Sequence, residues 1–284
     1  MKPSPFEYYA PTTVAEAVSL LDDDGAMVLA GGQSLVPAMN LRLASPTALV
    51  DINAIRGFDR VAVQDGSVEI GMLVRHADLQ PPFFDDPLAR LLAKVAPYVG
   101  HFPIRVRGTF VGSLVHADPA AEWCAVVSAL NGVVVAMSPR GEREIPASEF
   151  FAGPFTTALE NDEIATATRL PLLGRAGAGF SEVSRTAGDF ATVVAVAAIW
   201  RRDDSIERAR IALAGVGGAP VRAHGAEEML AGSDPTAASV VRAADAAVEG
   251  LDPVSDPYCS ADYRRHLARV MVSRAVRSAL EDAA

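Results

Sequence analysis

The chain has 284 residues, half of them hydrophobic and 21% charged, which excludes a disordered polypeptide and allows more than one buried core. A formal net charge of −10 argues against nucleic acid or an anionic membrane surface as the main partner, although a local loop can still offer backbone donors to an anionic ligand. The two cysteines, Cys124 and Cys259, are too few for an iron–sulfur cluster, lack CxxC spacing, and read as buried or idle thiols in a reducing compartment.

The opening "MKPSPFEYY" has no apolar signal-peptide core, and no run of about 18 apolar residues follows, so a cytoplasmic protein without a membrane span is expected. "TTVAEAVSLLDDDG" predicts a Thr-capped helix with Val14, Ala17, Val18 and Leu21 at helical spacing and Gly25 as its stop. "AMVLA" is a short buried strand running into "AGGQSL". "LVPAMNLRL" reads as a half-turn or short helix and "TALVDIN" as a second strand, completing a small α/β unit. "RVAVQDGSVEIGMLV" carries Asp65-Gly66 between two alternating runs, a hairpin signal. "PLARLLAKVAPYVG" is helical, with apolar positions at 88, 91, 92, 95 and 96. "WCAVVSALNGVVVAMSPRGEREIP" runs from helix to strand to turn, and "IATATRLPL" is another strand.

Near residue 175 the texture changes. "GRAGAGF" reads as a linker. The strands "FSEVSR", "ATVVAVAAIWRR" and "ERARIALAGVG" then precede three helices, a pattern that predicts a separate α+β domain. The boundaries are therefore 1–175 and 176–284.

Two stretches carry chemistry. In AGGQSL, residues 30–35, doubled glycine permits positive φ and close approach of a ligand to the backbone, so the loop is either a plain strand-ending turn or a phosphate seat. In "RGTFVGSLVHADPAAEW", residues 107–123, Gly108 and Gly112 bracket Thr109. Asp118 and Glu122 lie four apart and share a face if that stretch is helical; the bland reading is a loop with an Asp-Pro helix start. Other devices are missing: there is no P-loop, "GVGGAP" at 215–220 lacks GxGxxG spacing, the five histidines form no zinc pattern, and no GxSxG occurs. By elimination, the chemistry is borrowed from a bound cofactor.

"LAGGQSLVPAMNLRL" and "GTFVGSLVHADPAAEW", with "PFEYYAPTTVAEAVSLL" and "SRTAGDFATVVAVAA", resemble the FAD-binding medium subunit of molybdenum hydroxylases, over about residues 3 to 280. That family includes the carbon monoxide dehydrogenase flavoprotein and the flavin part of xanthine dehydrogenase. The resemblance implies an α+β fold: an FAD-binding domain of the vanillyl-alcohol-oxidase (PCMH) type with two lobes, about 1–57 and 58–175. A smaller C-terminal domain with a three-stranded sheet and helices would follow. It further implies that Ala30, Gly31, Gly32, Gln33 and Ser34, with Leu35 next, cradle the FAD pyrophosphate. Thr109, Phe110, Val111, Gly112 and Ser113 would form the second loop, Glu122 and Asp118 would face the nucleotide side, and Asp189 and Phe190 would sit beside the isoalloxazine. Phe190 would shield the ring without offering a hydroxyl. Relatives usually read Thr-x-Gly-Gly where this chain has Val111; either the backbone there is extended and the valine harmless, or FAD binding is altered.

The implied function is electron transfer from [2Fe–2S] clusters of a small partner subunit through FAD to an external acceptor. Molybdopterin would be held by a large partner subunit, in a dimer of heterotrimers. No residue of this chain is expected to act catalytically on the organic substrate or to ligate metal. A free-standing flavin oxidoreductase of the same fold, or an assembly subunit depleted of FAD with Val111 as its support, are the alternatives.

Overall fold

The structure, a computed structural model, describes residues 2–22 and 25–283. The first unit is a three-stranded parallel sheet, order β1 (Glu7–Tyr9), β3 (Ala48–Asp51), β2 (Ala26–Leu29). Helix α1 (Val14–Ser19) starts at Thr13, whose side chain accepts from the Glu16 N–H while Glu16 reaches back to the Thr13 N–H, a reciprocal cap. The helix is shorter than expected and ends in a 3₁₀ turn at Leu20–Asp22; Asp23 and Asp24, also within the expected helix, lie outside the described residues. Helix α2 (Leu35–Asn40) follows the first glycine loop directly.

The second unit is a five-stranded antiparallel sheet, β4-β5-β10-β6-β7. Its strands are β4 (Val61–Gln64), β5 (Ser67–Gly71), β6 (Val133–Ser138), β7 (Gly141–Pro146) and β10 (Ile164–Pro171). Asp65 and Gly66 both adopt positive φ, 49° and 77°, as the expected tight hairpin requires. Between β5 and β6 lie α3 (Pro87–Val95), α4 (Phe102–Arg105), α5 (Phe110–His116) and α6 (Glu122–Ala129). After β7 come α7 (Ala147–Phe150) and the small hairpin β8 (Phe151–Gly153) and β9 (Thr156–Thr157).

The last unit is antiparallel, with three long strands, β11 (Gly177–Ser184), β12 (Ala191–Arg202) and β13 (Ser205–Ala214), and a two-residue edge strand, β14 (Val221–Arg222). Helices α8 (His224–Leu230), α9 (Ala237–Ala246) and α10 (Ala261–Asp282) complete it. β12 is buried on both faces, which is why it reads as a nearly unbroken apolar run. Val193, Ala195, Ala197 and Ile199 face the α8–α10 core, whereas Val194, Val196, Ala198 and Trp200 join the core built around α3 and α6.

"GRAGAGF" departs from the linker expectation. Gly177, Ala178 and Gly179 already belong to β11. The preceding turn is pinned by Asp86, whose carboxylate accepts from the Leu173 and Gly174 N–H groups at 3.0 and 2.8 Å. Glycine serves here for close packing. Arg210 and Arg222 also reach across, donating to the Leu130 and Ser128 carbonyls at the C-terminal end of α6. Cations at that end complement its unsatisfied carbonyls.

Candidate functional site

The loop after β2 and the loop before α5 meet backbone to backbone. A Cβ on Gly31 would lie 2.4 Å from the Arg107 carbonyl oxygen and 2.6 Å from Gly108 Cα, so only glycine lets the two loops touch. Gly32 is glycine for another reason, its φ of +72°. Among the described residues, the N–H groups of Gly31, Gly32, Gln33 and Ser34 donate to no protein acceptor, while the Gln33 amide folds back on the Gly31 carbonyl at 3.1 Å. Donors placed in this way suit an anionic ligand.

In the second loop Thr109 is the N-cap of α5, its hydroxyl accepting from the Gly112 N–H at 3.1 Å. A Cβ on Gly112 would sit 2.5 Å from that hydroxyl, so this glycine protects the cap. Val111 is neither extended nor at positive φ. It lies in the first turn of α5 with 2% of its surface exposed, which removes the conformational doubt about a valine at this position.

All fourteen expected site residues, from Ala30 to Leu35, Thr109, Val111 to Ser113, Asp118, Glu122, Asp189 and Phe190, line one cavity of about 610 Å³. Phe110 does not; it packs beneath, its ring 4.9 Å from that of Trp123. Asp118 and Glu122 reach the cavity by a different route from the shared helical face. Ala117 turns left-handed and ends α5, Asp118 holds the following turn by accepting from the Ala120 N–H, and Glu122 opens α6. Asp189 and Phe190 arrive from the β11–β12 connection, whose Gly188 packs against His101. Phe190 is 63% exposed at the rim.

Other wall residues gave no signal in the sequence. His76 is buried, accepts from the Trp123 indole N–H at 3.0 Å on Nδ1, and has its pKa lowered to about 4 by burial and then by Arg75 and Arg105, so it is neutral at pH 7. Phe155 adopts positive φ and places its ring 5.2 Å from that of His116. His76 comes from "VRHADL", which has no distinguishing pattern, and Phe155 lies in a turn far along the chain.

Glu122 is 6% exposed, and burial, then the charge of Asp118, push its pKa up to about 7 against the opposing pull of its own N–H. Glu182, with a buried oxygen lacking a partner, is pushed up to about 8 by burial and by Glu122. The folded chain therefore holds protons that the unfolded chain releases above about pH 4.3. Both groups favour the folded state at low pH, and this contribution falls as pH rises through about 7 to 8. Glu122→Gln should flatten the fall, raising stability at pH 8 by on the order of 3 kcal/mol, read from melting curves at pH 5 and pH 8. Equal pH dependence in the two proteins would contradict it.

The residues fit FAD by their own geometry: unused backbone donors on one loop, a close-approach glycine at Gly31, a roomy and largely apolar cavity, and carboxylates at the α5–α6 turn. Residues 4–173 match the family described as the FAD binding domain in molybdopterin dehydrogenase, and residues 178–279 match the CO dehydrogenase flavoprotein C-terminal domain. The chain is 40% identical to the 6-hydroxypseudooxynicotine dehydrogenase complex subunit alpha of Paenarthrobacter nicotinovorans, over 100% of this chain and 97% of that one. It is 36% identical to the caffeine dehydrogenase subunit beta of Pseudomonas sp. strain CBB1, over 99% and 97%. Among solved structures it superposes with a TM-score of 0.95 on a chain of the carbon monoxide dehydrogenase from Hydrogenophaga pseudoflava that lacks the Mo-pyranopterin moiety, at 35% identity and with full coverage of both chains.

Proposed function

This chain belongs to the FAD-binding subunits of the molybdenum hydroxylase family, and we propose that its two glycine loops hold the pyrophosphate of FAD in an electron-transfer subunit. The observation that carries this reading is the convergence of both loops, Asp118, Glu122, Asp189 and Phe190 on one cavity. When bound, FAD supplies the redox chemistry, linking [2Fe–2S] clusters on a small partner subunit to an external acceptor. The protein's own part is binding and orientation. The amides from Gly31 to Ser34 would hold the phosphates, Thr109 fixes the second loop, and Asp118 and Glu122 would offer acceptors to nucleotide hydroxyls. Phe190, at the cavity rim, would cover the redox end and limit water there. The same reading takes the chain as a two-domain subunit divided near residue 175, the FAD-binding part in two lobes.

Its partners in this reading are a large molybdopterin subunit and the small [2Fe–2S] subunit, as a dimer of heterotrimers. Relatives named as subunits of dehydrogenases support a multi-subunit assembly. No helix among the described residues is long and apolar enough to cross a membrane; the reading places the assembly in the cytoplasm. The test is purification of the chain with its neighbours. FAD released on denaturing the complex, read by its fluorescence, and co-elution with two other subunits are expected. A complex that releases no FAD would sink the FAD reading, and a lone chain with full turnover would replace it with a free-standing oxidoreductase.

A further inference from the structure

We propose that Arg75 and Asn53 form a clasp that sets the separation of the two glycine loops and so positions both for FAD. The inference rests on the reading of those loops as the FAD seat. Asn53 follows β3 in the three-stranded unit, and Arg75 follows β5 in the five-stranded unit. Their side chains meet between the units, the guanidinium Nη2–H donating to Asn53 Oδ1 at 2.6 Å. Each residue then holds one loop. Asn53 donates from Nδ2 to the Ala30 carbonyl at 2.8 Å, at the mouth of the first loop. Arg75 donates from Nη1 to the Arg107 carbonyl, the same oxygen against which Gly31 is packed.

The clasp is braced at both ends. Asp51 accepts from the Asn53 amide at 2.6 Å and from its N–H at 2.9 Å, and the Tyr8 hydroxyl donates to the other Asp51 oxygen at 2.6 Å. At the far end, the Arg75 main chain bridges Thr109, with the His76 N–H on the Gly108 carbonyl and the Phe110 N–H on the Val74 carbonyl. A guanidinium can donate in two fixed directions at once, which an ammonium cannot do with the same rigidity. Both residues are half-buried, where a hydrogen bond to a charged group counts for more than at the surface. Neither needs to touch the ligand; both act through the loop carbonyls they hold, as positioning residues.

The test uses the purified complex stripped of flavin and titrated with FAD, following flavin fluorescence. Arg75→Ala and Asn53→Ala should each weaken FAD by about 10 to 100-fold, and the double variant should be little worse than the weaker single one, because the two act as one unit. Added guanidinium ion should recover affinity in Arg75→Ala and not in Asn53→Ala. Arg75→Lys should fall between. Wild-type affinity in Arg75→Ala would overturn the clasp, as would additive losses with no guanidinium rescue, which mark a merely structural arginine. Failure of the unmodified complex to bind FAD would instead overturn the reading of the loops, and the clasp with it.

Discussion

Gly31→Ala should weaken FAD by about 100-fold, more than Gly32→Ala, although Gly32 is the glycine at positive φ. The added methyl of Gly31→Ala meets the Arg107 carbonyl oxygen at 2.4 Å and Gly108 Cα at 2.6 Å, both backbone atoms that cannot rotate away. The loops must part, and every donor on one loses its register with the other. At Gly32 the new methyl meets only the ends of the Leu29 and Val36 side chains, at 3.2 Å each, and the cost is mainly the left-handed backbone, about 1 to 2 kcal/mol. The ordering is what discriminates. A plain strand-ending turn depends on its positive-φ residue, so Gly32→Ala would be the worse variant. A cradle made by two touching loops depends on the residue at the contact. FAD titration of both variants, with Gly153→Ala as a control at an open position of ordinary φ, reads the order directly.

The residues that line the cavity were legible because loops that approach closely leave a mark in sequence: glycines where side chains cannot fit. Gly31, Gly32 and Gly112 were all visible in this way, and their different tasks were not. The sequence treats them alike, while close approach, positive φ and a protected Thr109 cap are separate geometric demands that only tertiary contact distinguishes. The Val111 question arose from the same limit, since nothing in the letters says that the residue lies inside a helical turn rather than in the loop. Asp118 and Glu122 came together despite the wrong mechanism. Four-residue spacing suggested a helical face, but a left-handed Ala117 and a new helix start brought both into the cavity. His76, Asn53 and Arg75 were invisible because their importance lies in partners far along the chain: Trp123, Ala30 and Arg107. The three strands of the last unit were readable from apolar runs, whereas "GRAGAGF" misled because glycine in a strand and glycine in a linker look the same.

Gly179→Ala tests that last distinction and should be strongly destabilising for a single added methyl. Its Cβ would lie 1.9 Å from the Ala275 carbonyl oxygen and 2.7 Å from the Ala279 N, both backbone atoms of α10. Gly177 stands in the same relation one helical turn on, 1.9 Å from the Ala279 carbonyl oxygen. The helix thus lies directly on β11, with Ala275 and Ala279 opposing the two glycines, and no side chain is available to yield. Relief requires α10 to lift, which also strains its other ties to β11 and its ties to α3. Asp282 accepts from the Ala178 N–H at 3.0 Å and pairs with Arg90 at 3.2 Å, and Ser278 accepts from Lys94 at 2.6 Å. A loss of about 3 kcal/mol, or about 10 °C in melting temperature, is expected. The effect should reach the cofactor, because β11 leads into the connection that carries Asp189 and Phe190 to the cavity rim. FAD affinity should therefore fall in Gly179→Ala, about 10-fold, even at temperatures where the chain remains folded. A linker glycine would tolerate alanine with no change in either measurement, and that result would mean the helix does not rest on this strand.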